Sequence, residues 1–275
     1  MSDKGFWNSS EEYIGIHGKN SSYDPEDSES VKKIWNERAK SGKEKLPDRL
    51  QHELEVNSLL KHISFDDKVL DAGCGSGFSS RIISEHCSKI CGIDFAEDLI
   101  AKAKKESKIK NLDFYVEDIK NLSFESKVFD KVITQRVLIN LVNIENQLVA
   151  VKEIHRVLDD KGLFLMLETN KQGIDNLNSV RSNFDLNPIV PPWHNKVIDE
   201  SVFFEKIKSL FEVVSEVNLG DYFFITRVIH PMLVYPDKPS YKNKINEVAF
   251  DLSNIDLGIA PNFSQAKLYV LRKIC

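Results

Sequence analysis

The stretch Val69–Phe78, VLDAGCGSGF, places three glycines, Gly73, Gly75 and Gly77, within five residues directly after an apolar run. A glycine loop between a strand and a helix can cradle a dinucleotide pyrophosphate, the phosphates of a nucleoside triphosphate, or a ligand with no phosphate at all. The dinucleotide fingerprint GxGxxG requires glycine at position 78, which is Phe78. The phosphate loop GxxxxGK[ST] requires a lysine that this stretch lacks. Asp71, two residues before Gly73, puts a carboxylate inside the site. Such a charge repels a pyrophosphate and attracts an ammonium.

Outward from the loop the pattern alternates. KVLDA, KICGID, LDFYVED, VFDKVIT and KGLFLMLET read as strands, separated by helical stretches such as AEDLIAKAKKES and VNIENQLVAVKEIHRVLDD. Gly162 stands where a helix-to-strand turn wants it. This spacing predicts right-handed crossovers and an α/β, doubly wound, mostly parallel sheet. Before it, residues 1–64 read as an N-terminal helical arm, irregular through YDPEDSES and helical in VKKIWNERAK and RLQHELEVNSLLKHI. After Thr169 the alternation breaks. Residues 170–199 hold few periodic apolar positions and include the stiff loop PIVPPWHN. DESVFFEKIKSLF restores a helix capped by Asp199 or Ser201, FEVVSEVNL is a sixth strand, and AKLYVLRKI closes the chain as a seventh. YFFITRVIHPMLVYP is apolar nearly all round and fits either a buried helix or a strand pair.

The 275 residues suffice for one large domain with a sizeable core, and 41% hydrophobic with 29% charged residues is an ordinary globular balance. Apolar runs such as LFLML at 163–167 are too short to span a bilayer. The first residues show no basic flank followed by an apolar core, so the expected location is the cytoplasm. A net charge of −5 disfavours nucleic acid as a partner. Cys74, Cys87, Cys91 and Cys275 form no CxxC pair and have no histidines at zinc spacing, so no metal site is expected and the cysteines read as free thiols.

An acidic residue followed by GxGxG resembles the first motif of the class I S-adenosylmethionine-dependent methyltransferases, and the resemblance extends over roughly residues 65–170. It implies a Rossmann-like methyltransferase fold of seven strands with a reversed final hairpin, which nicotinamide-binding Rossmann domains lack. It implies S-adenosyl-L-methionine as cofactor, with Asp71, Gly73, Gly75 and Gly77 around the methionine tail. In GIDFAED, Asp94 would accept the ribose hydroxyls with Phe95 beside it, and in VEDI, Asp118 and Ile119 would meet the adenine. Asp94 and Asp118 can also simply cap the structure that follows them. Gln135 and Arg38 complete the expected cofactor set. The usual proline-glycine turn before the fifth strand is replaced by Asp159, Asp160 and Lys161.

Methyl transfer from a sulfonium depends chiefly on holding the acceptor in line, and a base is needed when the acceptor is a poor nucleophile such as a sugar hydroxyl. The motifs of exocyclic-amine and cytosine carbon-5 methyltransferases are absent. His194, in PPWHN, is the expected general base, with Glu168 at the end of the fifth strand as a second candidate. Arg136, Trp193 and His230 are the expected substrate contacts, Arg136 or Arg38 meeting an anionic group, with surface ion pairing and core packing as their structural alternatives. The N-terminal arm and the segments 170–199 and 221–262 are expected to cap the acceptor. The pattern resembles bacterial methyltransferases of surface-polysaccharide and secondary-metabolite assembly, so the expected partners are a sugar or nucleotide-linked small molecule and a second copy in a homodimer. A nicotinamide-dependent oxidoreductase and a non-catalytic cofactor-binding sensor are the alternatives.

Overall fold

The computed structural model describes residues 28–44, 47–255 and 258–275. Residues 1–27 of the N-terminal arm lie outside them.

Among the described residues, seven strands form one sheet: β1 (Lys68–Ala72), β2 (Lys89–Asp94), β3 (Leu112–Val116), β4 (Phe129–Gln135), β5 (Leu158–Thr169), β6 (Phe211–Asn218) and β7 (Ala266–Lys273). Their order is β3-β2-β1-β4-β5-β7-β6, with β7 antiparallel to both neighbours and the other pairings parallel. The order reverses at β1, so the loops after β1 and β4 open a crevice at the carboxyl ends of the strands.

Alternation along each strand splits the core into two layers. Val69, Ile90, Leu165 and Leu167 face one side, and Leu70, Ile93, Phe164 and Met166 the other. The second side is covered by α5 (Ile144–Val157) and α7 (Glu200–Ile207), through Ala150, Ile154 and Phe203. The first is covered by α2 (Arg49–Leu60), α3 (Phe78–Ile83), α4 (Glu97–Glu106), α6 (Lys171–Ser182) and α10 (Lys244–Ile255). A helical wrap runs there too, from α8 (Gly220–Phe224) through a π turn at Ile225–Ile229 into α9 (His230–Val234). Asp48, Asn143, Asn170 and Asp199 cap α2, α5, α6 and α7, each accepting a backbone N–H three residues on. α1 (Ser28–Ser41) lies across α4, held by Lys32 and Asn36 on Glu97 and by the Asp98 N–H on Asn36.

The strands and the order of the central elements match the sequence pattern. The segment 170–199 does not stay irregular, because α6 occupies its first half. Gly173, Ile174, Leu177 and Arg181 form the buried face of α6, and an arginine in a core position hides the apolar period. α10 escapes the pattern for a related reason: only Asn246 and Ala249 are fully buried on it. The segment around His230, open between helix and strand pair, is helical.

Candidate active site

The crevice is a cavity of about 720 Å³, within the range of roughly 300–1,000 Å³ usual for small-molecule sites. One wall is the glycine loop, Gly73–Ser76, with Asp94, Phe95 and Leu99, and Glu117 and Ile119 after β3. The facing wall is α2, through Arg49, His52, Glu53, Val56 and Asn57. Phe78, Ser79 and Ile82 of α3, Gln135 at the end of β4, and Arg136 and Val137 after it close it.

The loop conformation demands glycine at Gly73 and Gly75, whose φ angles are +87° and +55°. A Cβ on Gly73 would lie 2.3 Å from Cγ2 of Val137, so the β1 and β4 loops interlock. A Cβ on Gly75 would meet nothing within 4 Å, because that face borders the cavity. Gly73→Ala is accordingly expected to destabilise the fold by about 2–4 kcal/mol through strain and overpacking, read as a lower midpoint of thermal unfolding. Gly77 is not on the wall; it packs against Phe114.

Asp94 ends β2 buried, its two carboxylate oxygens accepting the N–H groups of Gly75 (3.0 Å) and Ala96 (2.9 Å). Each oxygen keeps a lone pair for a further donor. Burial pushes its pKa up to about 6, against the pull of those N–H groups. Asp71 is buried beneath the loop and off the cavity wall, where it accepts the Ser80 hydroxyl. Burial, opposed by that hydroxyl and reinforced by the charge of Asp94, pushes it up to about 6 as well.

Several expected residues stand elsewhere. Asp118 is exposed and accepts its own turn's Lys120 N–H, while Glu117 and Ile119 take the wall. Arg38 lies over the ring of Trp35 at 4.8 Å, and it is Trp35 that lines the cavity. Glu168 is fully buried, and its carboxylate accepts the N–H groups of Val137 (3.1 Å), Leu138 (3.0 Å) and Ile139 (3.4 Å). It thereby fixes the turn that follows Arg136, itself in the left-handed region at φ 59°. Burial pushes Glu168 up to about 7, but its oxygens are spent on the backbone and do not face the cavity.

His194 and Trp193 are likewise off the wall. Their loop is pinned behind the β4 turn by the Lys196 N–H on the Ile139 carbonyl and by Gln147 on the Lys196 carbonyl. His230 is buried in the helical wrap. Among the described residues, the segments 170–199 and 221–262 contribute none to the wall; they pack behind α2, through Ile174, Leu177 and Tyr222 beside Leu54 and Leu59. Of the N-terminal arm, Trp35 of α1 and the α2 residues named above do line the cavity.

The α2 wall is tied to the core by one hydrogen-bonded chain. Arg227 Nη2 donates to Asp48 Oδ2 (2.8 Å) and Gln51 Oε1 (3.0 Å), and Gln51 Nε2 donates to Glu55 Oε1 (2.8 Å). Glu55 Oε2 accepts from Gln135 Nε2 (2.7 Å) and from the Arg136 guanidinium. Ser79 Oγ donates to Gln135 Oε1 (2.7 Å) and meets His52 Nε2 at 2.9 Å. His52, Ser79 and Glu55 were not singled out from the sequence. The signal the sequence holds for two of them is Glu55 set beside the apolar positions Leu54 and Leu59 of RLQHELEVNSLL, with His52 three residues before it on the same helical face.

A family model described as a methyltransferase domain matches residues 63–217, and the chain belongs to that family. With the glycine loop and the reversed β7, this gives the chain a methyltransferase domain with the fold of the class I S-adenosylmethionine-dependent enzymes, which sets aside the nicotinamide alternative. The demethylmenaquinone methyltransferase of Staphylococcus haemolyticus (strain JCSC1435) is 31% identical over 128 residues, 44% of this chain and 52% of that protein. The chain thus spans about half the length of the curated relatives it matches. Among solved structures, a chain from the complex between the Haloferax volcanii Trm112 methyltransferase activator and a methyltransferase superposes with a TM-score of 0.61 at 16% identity. That superposition covers 87% of this chain and 96% of that one. An S-adenosylmethionine-dependent methyltransferase from Aquifex aeolicus does so at 0.52 and 14%, covering 90% and 99%. The residues present fit S-adenosylmethionine: Asp94 has lone pairs for a diol, and the open face of Gly75 leaves room for ligand. Among the described residues no helix is long and apolar enough to cross a membrane.

Proposed function

We propose that this protein transfers a methyl group from S-adenosylmethionine to an oxygen of a small acceptor bound against α2. What carries this is the continuity of the cavity, with Asp94 and the glycine loop on one wall and His52 with Arg49 on the other. S-adenosylmethionine supplies a methyl group on a sulfonium, open to in-line displacement. Asp94 would hold the ribose, Phe95 and Ile119 would flank the adenine, and the bare backbone of Gly73 and Gly75 would admit the methionine tail.

Val56, Phe78, Ile82 and Leu141 give the cavity apolar surface, while Arg49, on the first turn of α2, has no ion-pair partner among the described residues. An acceptor with an anionic group satisfies that guanidinium. A phosphorylated or nucleotide-linked sugar belongs to that class, and it is the acceptor we favour. Arg136 is committed to Glu55 and serves the wall rather than the ligand.

Isothermal calorimetry with S-adenosylmethionine and S-adenosylhomocysteine tests the cofactor half. One-to-one binding of both is expected, and binding of neither removes the proposal. Retained cofactor binding without label transfer to any phosphorylated or nucleotide-linked acceptor would support the sensor alternative.

A further inference from the structure

We propose that His52 is the base that takes the proton of the acceptor hydroxyl, held by Ser79, Gln135 and Glu55 in the tautomer that leaves Nδ1 unprotonated. This rests on the methyl-transfer reading above and goes beyond it by naming the base and the protic oxygen it serves.

The tautomer follows link by link from the buried end of the chain. Glu55 is fully buried and bonded to Arg136, so as a carboxylate it only accepts. The Gln135 amide must therefore present Nε2 to Glu55, at 2.7 Å, which turns Oε1 toward Ser79. Oε1 can only accept, so the single hydroxyl proton of Ser79 lies on the 2.7 Å contact to it. The Ser79 oxygen then offers only lone pairs to His52, and the 2.9 Å contact requires a proton on Nε2. Nδ1 is left as the basic nitrogen. It has no protein partner among the described residues and is not among the buried polar atoms. The ring packs on Phe78 with centroids 4.7 Å apart, which limits its rotation. Burial and the nearby Arg136 charge lower the pKa of His52 to about 4, so the imidazole is neutral and able to accept at neutral pH.

In the reaction the acceptor O–H bond breaks and its proton passes to Nδ1. The oxygen bonds the methyl carbon with the freed electron pair, and the pair that bound that carbon stays on sulfur. The imidazolium so formed faces Arg136 and loses its proton to water, which resets the base. Orientation of an imidazole by a fixed partner is the logic by which a histidine is made an effective base.

Histidine side-chain 15N–1H correlation spectra of the full chain with S-adenosylhomocysteine at pH 7, with His52 assigned by the signals lost in His52→Gln, read the tautomer directly. A protonated Nε2 with a bare Nδ1 is expected, and Ser79→Ala is expected to give a mixture of tautomers. A protonated Nδ1 or an imidazolium overturns the proposal. In parallel, transfer from methyl-labelled S-adenosylmethionine to a set of nucleotide-linked sugars and sugar phosphates is expected to fall about 10²–10⁴-fold in His52→Gln, with calorimetric affinity for S-adenosylhomocysteine within twofold of the unmodified protein. Unchanged transfer sinks the base while leaving the methyl-transfer reading intact. Absent cofactor binding in the unmodified protein sinks that reading instead. If no acceptor in the set is methylated, the tautomer alone decides.

Discussion

Arg227→Met is expected to lower the midpoint of thermal unfolding by roughly 6–20 °C. Arg227 is 5% exposed and sits in the π turn, yet it reaches the first turn of α2, where it pairs with Asp48 and bonds Gln51. Asp48, 2% exposed, also caps α2 through the Gln51 N–H and accepts the Tyr222 hydroxyl at 2.6 Å. Methionine fills much of the arginine's volume, so packing is largely kept and the main loss is the charge. Removing one partner of a buried pair leaves the other desolvated and unpaired, at about 3–5 kcal/mol, and each kcal/mol moves the midpoint of a chain near this size by about 2–4 °C. Asp48→Asn added to Arg227→Met removes the orphaned charge and is expected to recover part of the loss. Circular dichroism melts of the three proteins check this, and an unchanged midpoint in the single variant would show that the pair does not hold α2. The consequence is functional as well, because the same turn carries Arg49 and His52 to the cavity.

Asp94→Ala is expected to weaken S-adenosylmethionine at least about 100-fold, since two hydrogen bonds to a carboxylate are each worth about 1.5–3 kcal/mol. The same carboxylate is expected to make binding depend on pH. Asp94 and Asp71 both hold their protons up to about pH 6. A protonated Asp94 cannot accept from both ribose hydroxyls, so affinity is expected to be flat above that range and to fall by about tenfold per unit below it. Calorimetry at closely spaced pH values reads the slope, and a flat profile down to pH 5 would remove Asp94 from the contact. The fold is expected to respond less over that window, because its buried groups oppose one another. Asp71, Asp94 and Glu168 hold their protons more tightly folded than unfolded, so the stability they add is present at low pH and lost as pH rises through about 6 to 7. His52, His62 and His230 are held below the usual histidine range, chiefly by burial, so the stability they add is present above that range and lost as pH falls through it. Their signs cancel in the melting temperature, whereas nothing cancels in the affinity.

The central sheet was legible because its signals are local. Short, continuously buried runs in KVLDA and KICGID, left-handed glycines after β1 and a carboxylate at the end of β2 act within a few residues of where they are written. Asp94, Gly73, Gly75, Ile119 and Gln135 fall on the cavity wall. His194 misled for a reason that is also physical. Prolines stiffen PPWHN, but stiffness says nothing about which side of the sheet the loop is tied to, and Ile139 and Gln147 tie it behind the β4 turn. Asp118 shows the smallest miss, a rotation of one residue that turns its side chain to Lys120 and gives the wall to its neighbours.

By itself the sequence determined the α/β class, the position of the cofactor loop and the choice of a methyltransferase over a dinucleotide site, all of which depend on backbone geometry and charge within short stretches. Only the tertiary structure decided which side chains line the cavity opposite the glycine loop. That wall is built from pairs such as Asp48 with Arg227 and Ser79 with Gln135, 179 and 56 residues apart, and no local pattern records a contact whose two halves are set by the packing of separate helices on one sheet.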